Sequence, residues 1–254
     1  MRWMVPSTTI LGMTSPPALL VGAPVRNRGW IIGEWVAAVE KASWMAGVEP
    51  GFVMVGDPSD ESLKYVETHC RTHDRFFGAV HVADDGRGDD PGKRTWNHNR
   101  YHHMVVLRNA LLDAVRLYEP GAFLSLDTDI LVHPEAIKLL SDALYGFDAV
   151  GGKAYMSHVG RRVPSHAFVR QGGGQTHRVD HEGGVVSTQV IMAIKMMSPD
   201  AYWVDYKWHH SGEDFGWSEA AREKGLRLGW DARVTNKHVM TPEMLTKVDK
   251  RCGY

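Results

Sequence analysis

Three short apolar runs, Ala18–Ala23, Gly51–Val55 and Phe76–Val82, alternate with two stretches of helical periodicity, and this alternation restricts the fold more than any other feature of the chain. Runs that are apolar throughout, rather than at every second residue, suit strands buried on both faces. Between the first two, Ile32, Trp35, Val36 and Val39 recur at i, i+3, i+4 and i+7. Residues from Trp30 to Ala46 therefore read as an amphipathic helix, with Trp30 and Trp35 facing the core and Gly47 as its stop. Between the second and third, Gly56-Asp-Pro-Ser-Asp60 is a turn, Ser59 or Asp60 can cap a helix, and Leu63, Val66 and Cys70 line one face of it. A β-α-β-α-β order demands a parallel sheet with helices on its faces.

The rest of the chain extends this pattern. Ala83–Asn99 is a polar loop, and Met104, Leu107, Leu111, Val115 and Tyr118 stripe the helix that follows. Ala122–Leu126 is another buried strand, and Pro134 suits the first position of a helix over Glu135–Leu144. Ala149–Tyr155 reads as a strand. Met156–Gly184 is rich in Gly, His and Arg, has no apolar period, and reads as a long surface loop of the kind that moves. Val185–Ile194 returns to strand composition, Glu213 or Asp214 starts a helix that Gly225 stops, and Leu226–Trp230 reads as an edge strand. With no repeat or low-complexity linker, residues 1–254 are expected to form one mixed α/β domain, in which 1–17 is an irregular arm.

Composition narrows the function classes. Lys plus Arg number 29 and Asp plus Glu 30, so the formal charge is −1, which disfavours a general nucleic-acid binder. Cys70 and Cys252 are the only cysteines, so a disulfide framework is excluded and a reducing, cytoplasmic compartment is expected. Pro6, Ser7, Thr8 and Thr9 interrupt the apolar start, which argues against a leader peptide, and no apolar segment is long enough to span a bilayer. His158, His166, His177 and His181 are irregularly spaced with no cysteine nearby, which does not suit structural zinc.

The chemistry concentrates after the Ala122–Leu126 strand, in Asp127-Thr128-Asp129. Ligands bind at the carboxyl ends of strands in open α/β sheets. Two carboxylates spaced two apart on an extended chain would share a face and repel unless a cation or water lies between them. Hard oxygen ligands suit Mg²⁺ or Mn²⁺, either of which can bridge to a diphosphate. An exposed acidic turn gives the same residues without chemistry.

The stretch Ala122–Leu131, followed by His133-Pro134-Glu135, resembles the metal-binding segment of the GT-A nucleotide-sugar glycosyltransferases, in particular the family 2 type. Other segments resemble the same family in the same order. Pro24-Val-Arg26-Asn-Arg28 is similar to its first nucleotide loop, and Asp57 to the acidic residue that meets the base or ribose. Arg108-Asn109-Ala-Leu111 is similar to the helix whose basic residue lies near the diphosphate. His210-Ser-Gly-Glu213-Asp214 resembles the later acidic motif, whose Asp is the base in inverting members, and His238 the histidine that completes the metal site.

The resemblance implies a Rossmann-like, mixed, mostly parallel sheet flanked by helices, and a metal-dependent transfer of sugar from a UDP- or GDP-sugar to an acceptor hydroxyl. Mn²⁺ or Mg²⁺ would stabilise the leaving diphosphate. Asp129, Asp127 and His238 would be the metal residues; Pro24, Arg26, Asp57, Arg108, Asp127 and Thr128 would meet the donor; Asp214, with Glu213, would take the acceptor proton. Arg26 and Arg28 are equally readable as solvated charges. Trp208, Trp217 and Trp230 would flank the acceptor side, at least two of them as core residues. A glycan, a protein side chain or a modified nucleobase would serve as acceptor.

Two other classes fit parts of the sequence. Asp127-Thr-Asp129-Ile-Leu131 resembles the nucleophile loop of haloacid-dehalogenase-like phosphohydrolases, in which Asp127 would attack phosphorus and Asp129 act as acid and base. That loop usually lies near the start of the chain, and no later paired-Asp motif accompanies it here. A carbohydrate- or nucleotide-binding module would keep the pocket without turnover.

Overall fold

A computed structural model describes residues 15–57, 59–71, 76–82, 98–158, 161–164, 167–170, 176–178 and 183–246. The expectations for the arm before residue 15, for the polar loop over 83–97 and for Cys252 lie outside the described residues, as do the side chains of Cys70, His158, His166, His177 and His181.

The first half follows the alternating pattern: β1 Leu19–Pro24, α1 Ile32–Met45, β2 Pro50–Gly56, α2 Glu61–Arg71, β3 Phe76–His81, α3 His98–Tyr118 and β4 Ala122–Leu126. Strands β3, β2, β1 and β4 lie side by side and parallel. Alternate residues serve opposite faces, as the strand period requires. Leu19, Val21, Phe52, Met54, Leu124 and Leu126 pack with α1 residues Ile32, Trp35, Val36 and Val39. Leu20, Val53, Val55 and Phe123 pack on the other face with Leu111, Leu112 and Val115 of α3. Asp60 caps α2, its Oδ1 accepting the amide of Ser62 at 2.8 Å.

The second half reverses direction. β5 is Ile130–Leu131, α4 Ala136–Ala143, β6 Ala149–His158, β7 Arg161–Pro164, β8 Ala167–Arg170, β9 Thr176–Arg178, β10 Val185–Ser187, β11 Val190–Ile191 and β12 Ile194–Met197. α5 Pro199–Tyr202, α6 Glu213–Glu223, β13 Leu228–His238 and α7 Pro242–Leu245 complete the fold. The main sheet runs β10-β13-β6-β12-β4-β1-β2-β3, with β5 beside β13 and β7 beside β6, while β11-β8-β9 form a small second sheet. β12 is antiparallel to both β4 and β6, so the sheet is mixed around a parallel wall.

Four expectations change. Met156–Gly184 is not simply a loop: β6 runs on to His158 and pairs antiparallel with β7, and β8 pairs antiparallel with β9. Backbone ladders hold these strands, and they need no apolar alternation to form. Val185–Ile194 is divided among β10, β11 and the start of β12, which belong to two sheets. Leu226–Trp230 belongs to no edge: β13 lies between β10 and β6 and runs to His238, with a register shift between Asp231 and Thr235. Pro134 precedes the cap residue Glu135 instead of opening α4, because the Ala136 amide turns back to the His133 carbonyl at 2.9 Å. No helix among the described residues is long and apolar enough to cross a membrane.

Candidate active site

The carboxyl end of β4 brings together Arg28, Arg108, Asp127, Asp129, Glu213 and His238 from distant parts of the chain. Phe123 and Ser125 face α3, and Asp127 continues that face beyond the strand end. Arg108 lies one turn before Leu111 and Leu112 on the buried side of α3, and is itself only 2% exposed. Its guanidinium donates to Ser125 Oγ at 3.1 Å and to Asp127 Oδ1. Burial alone would lower the Arg108 pKa, but Asp127, Tyr206, Asp214 and Glu213 around it outweigh that and hold it above its ordinary value. Burial raises the Asp127 pKa, with Asp129 adding to the rise and Arg108 opposing it.

Asp129 does not share Asp127's face. The chain turns at once after β4, with the Ile130 amide bonded back to the Asp127 carbonyl at 3.0 Å. Asp129 thereby meets Arg28 of the first loop, whose Nη2 donates to Oδ2 at 2.9 Å. The arginine that reaches this pair is thus Arg28. Arg26 instead lines a cleft of about 350 Å³ with Asn27, Gly29, Asp57, Ser59 and Asp60. That cleft is built by the turn of β1 at Pro24 and by the start of α2, where Asp60 Oδ2 accepts the amide of Asn27 at 2.6 Å. Asp57 accepts the amide of Ser59 at 2.8 Å on the cleft wall. Thr128 is buried in the turn between the two aspartates.

His238 reaches the site by strand pairing. β13 is antiparallel to β5, with His238 opposite Ile130, and its Nε2 lies 3.5 Å from Asp129 Oδ1. Carboxylate oxygen suits Mn²⁺ or Mg²⁺, the imidazole nitrogen favours Mn²⁺ of the two, and this separation suits neighbouring positions around one ion. Among the described residues no cluster of three such side chains is set for a metal. Divalent ions of this kind keep waters and substrate phosphates as ligands, so two protein donors fit such a site. Asp127, turned to Arg108, is the member of the predicted set that stands apart.

Glu213 and Asp214 open α6, as their sequence position suggested, after Gly212 in a conformation (φ 115°) that suits glycine. Both are 5% exposed, yet they differ. Glu213 Oε1 lies 3.9 Å from Arg108 Nε, and its pKa is pushed up to about 7 by burial and by Asp214, with Arg108 opposing. Asp214 Oδ1 accepts from Lys195 Nζ and Oδ2 from the Ala193 amide at 3.3 Å. Burial alone would raise the Asp214 pKa, but Lys195 and Arg108 outweigh it and hold the group below its ordinary value.

Lys195 is a site residue that the sequence reading missed. It is fully buried, paired across β12 and β4 with Ser125, and enclosed by the rings of Tyr206 at 4.7 Å and Trp217 at 5.1 Å. The signal for it was a lone cation inside the apolar run Ile191–Met197. Trp217 and Trp230 are core residues, whereas Trp208 is 38% exposed and stacks on His102 at 5.5 Å.

No family model matches the chain, and no curated protein matches it significantly by sequence. Solved structures do. The 1–349 fragment of S. aureus TarS aligns over 89% of this chain and 61% of its own, with a TM-score of 0.59 and 17% identity. The same fragment in complex with UDP gives 0.58 and 18%, over 89% and 62% of the two chains. GalNAc-T7 with UDP, GalNAc and Mn²⁺ gives 0.56 and 12%, over 89% of this chain and 44% of that one. This chain therefore spans less than two thirds of the proteins it resembles. At such identities the shared property is the architecture, and that architecture, a mixed, mostly parallel sheet flanked by helices, is the GT-A fold of nucleotide-sugar glycosyltransferases.

Proposed function

We propose that the protein is a metal-dependent glycosyltransferase that moves a sugar from a nucleotide-diphosphate donor to an acceptor hydroxyl with inversion. One observation carries this reading: Asp129, His238 and the two arginines Arg28 and Arg108 converge at the carboxyl edge of a GT-A sheet. The UDP held by the TarS fragment and by GalNAc-T7, and the Mn²⁺ of the latter, support a UDP-sugar donor and a divalent ion.

Asp129 and His238 would hold the ion, which supplies charge stabilisation to the leaving diphosphate. The cleft beside Arg26 and Asp57 would take the nucleoside, with Pro24 shaping its rim. Arg108 presents a buried positive charge toward the diphosphate; Asp127 fixes that guanidinium and directs it, and Thr128 sets the turn. The acidic pair Glu213–Asp214 would take the acceptor proton. The acceptor would be a glycan, a protein side chain or a modified nucleobase.

Calorimetry with UDP and GDP, with and without Mn²⁺, tests this reading. UDP is expected to bind only with the ion, and Asp129→Ala to remove that dependence. Absence of metal-dependent binding by either nucleotide would sink it, and release of free phosphate from phosphomonoesters would favour a phosphohydrolase.

A further inference from the structure

The two acidic residues that open α6 have unequal surroundings. Both oxygens of Asp214 are engaged. One oxygen takes the Lys195 ammonium and the other the Ala193 amide. Ala193 is a non-glycine residue at φ 60°, a conformation that costs energy and persists only where its surroundings hold it. Its carbonyl in turn accepts the Asp127 amide at 2.9 Å. Lys195, Asp214 and Ala193 thus form a chain that ends on the turn carrying Asp127 and Asp129.

Glu213 lies where hydrogen-bonding capacity is left over. No other side chain among the described residues donates a hydrogen bond to it. Arg108 Nε, 3.9 Å away, and the Tyr206 hydroxyl, whose ring packs on the same guanidinium, are both buried with no hydrogen-bond partner among the described residues. Buried polar atoms left unpaired are costly, so such a corner suits a polar ligand.

We infer that the pair divides its work: Glu213 receives the acceptor proton, while Asp214, locked by Lys195 and Ala193, is a positioning residue for the Asp127 turn. This rests on the transferase reading. In the step, the acceptor oxygen bonds to the anomeric carbon. The bond from that carbon to the diphosphate breaks, and its electron pair leaves with the diphosphate. The hydroxyl proton passes to the Glu213 carboxylate, which becomes neutral. Burial and the neighbouring Asp214 make Glu213 the more basic of the two, despite the opposing Arg108, and Asp127 adds to the effect. Lys195 acts in the opposite sense on Asp214.

The test uses the full chain with Mn²⁺, UDP, and UDP release from a panel of UDP-sugars with water as acceptor. Glu213→Gln is expected to bind UDP within about threefold of wild type while turnover falls roughly 100-fold or more. Asp214→Asn is expected to raise KM and weaken UDP binding, keep kcat within about tenfold, and retain the pH limb near neutrality. Lys195→Arg should restore binding that Lys195→Met loses.

If Asp214→Asn loses turnover roughly 100-fold with UDP affinity and Tm unchanged, the inference is overturned while the transferase reading stands. If the wild type binds no nucleotide with Mn²⁺, it is the transferase reading that fails. A ¹³C titration of the carboxyl carbons without added metal tests the same assignment with no turnover needed. The group titrating at about 7 must vanish in Glu213→Gln, and its persistence there overturns the assignment.

Discussion

Arg28 and Asp129 are joined by a 2.9 Å ion pair that ties the first loop to the acidic turn after β4. Their side chains are 15% and 8% exposed, so water screens the pair only in part. Removing one partner of a largely buried pair leaves the other charge without its main compensation. Arg28→Ala is therefore expected to lower stability by about 1–3 kcal/mol, and Arg28→Lys to recover part of the loss. Urea unfolding of the three proteins measures both; an unchanged midpoint would show that His238 alone suffices for Asp129.

Arg108 is the more deeply buried cation and joins Ser125, Asp127 and Glu213. Arg108→Met strands buried negative charge and is expected to cost about 3–5 kcal/mol. Arg108→Lys should not be conservative, because an ammonium cannot reproduce the planar fork that reaches both Ser125 and Asp127. Denaturant midpoints at one pH compare the variants.

Stability should depend on pH through Glu213. Its pKa rises from 4.5 in the unfolded chain to about 7 in the folded one, so between these values the folded state binds the proton and the unfolded state does not. Stability from this group is present below 4.5, falls as pH rises toward about 7, and is flat above that. At about 1.4 kcal/mol per pH unit the loss is on the order of 3 kcal/mol. Unfolding free energies at pH 5 and pH 8 should differ less in Glu213→Gln than in wild type; equal differences in the two proteins would remove Glu213 as the source.

Gly216 in α6 leaves no room for a side chain. A Cβ there would run into the backbone carbonyl of Lys207, which has no flexible end to move aside. Gly216→Ala is expected to destabilise by about 1–3 kcal/mol, although a helical Gly→Ala change elsewhere gains about 0.5–1. The sign of the shift in thermal midpoint decides between the two.

Local periodicity made much of this molecule readable. The alternation of β1, α1, β2, α2 and β3 was evident because strands buried on both faces and helices with one apolar stripe each write their own period into neighbouring residues. The acidic turn after Ala122–Leu126 and the start of a helix at Glu213 were readable for the same reason, being punctuation at the ends of periodic elements. What the turn does with its carboxylates was not. Alternation along a strand placed Asp127 and Asp129 on one face, but the strand stops at Leu126, and the turn sends each to a different arginine.

The choice of Arg28 over Arg26, the burial of Lys195 beside Asp214 and the interior place of β13 all depend on partners remote in the chain. Strand register sets Lys195 against Ser125 and His238 against Ile130, and no local pattern carries that information. The sequence by itself determined that an acidic turn and an acidic helix start would stand at the sheet's carboxyl edge; the tertiary structure decided which charge each would meet there, because ion pairing in a buried site depends on distance and solvent exclusion, which arise only when the elements pack.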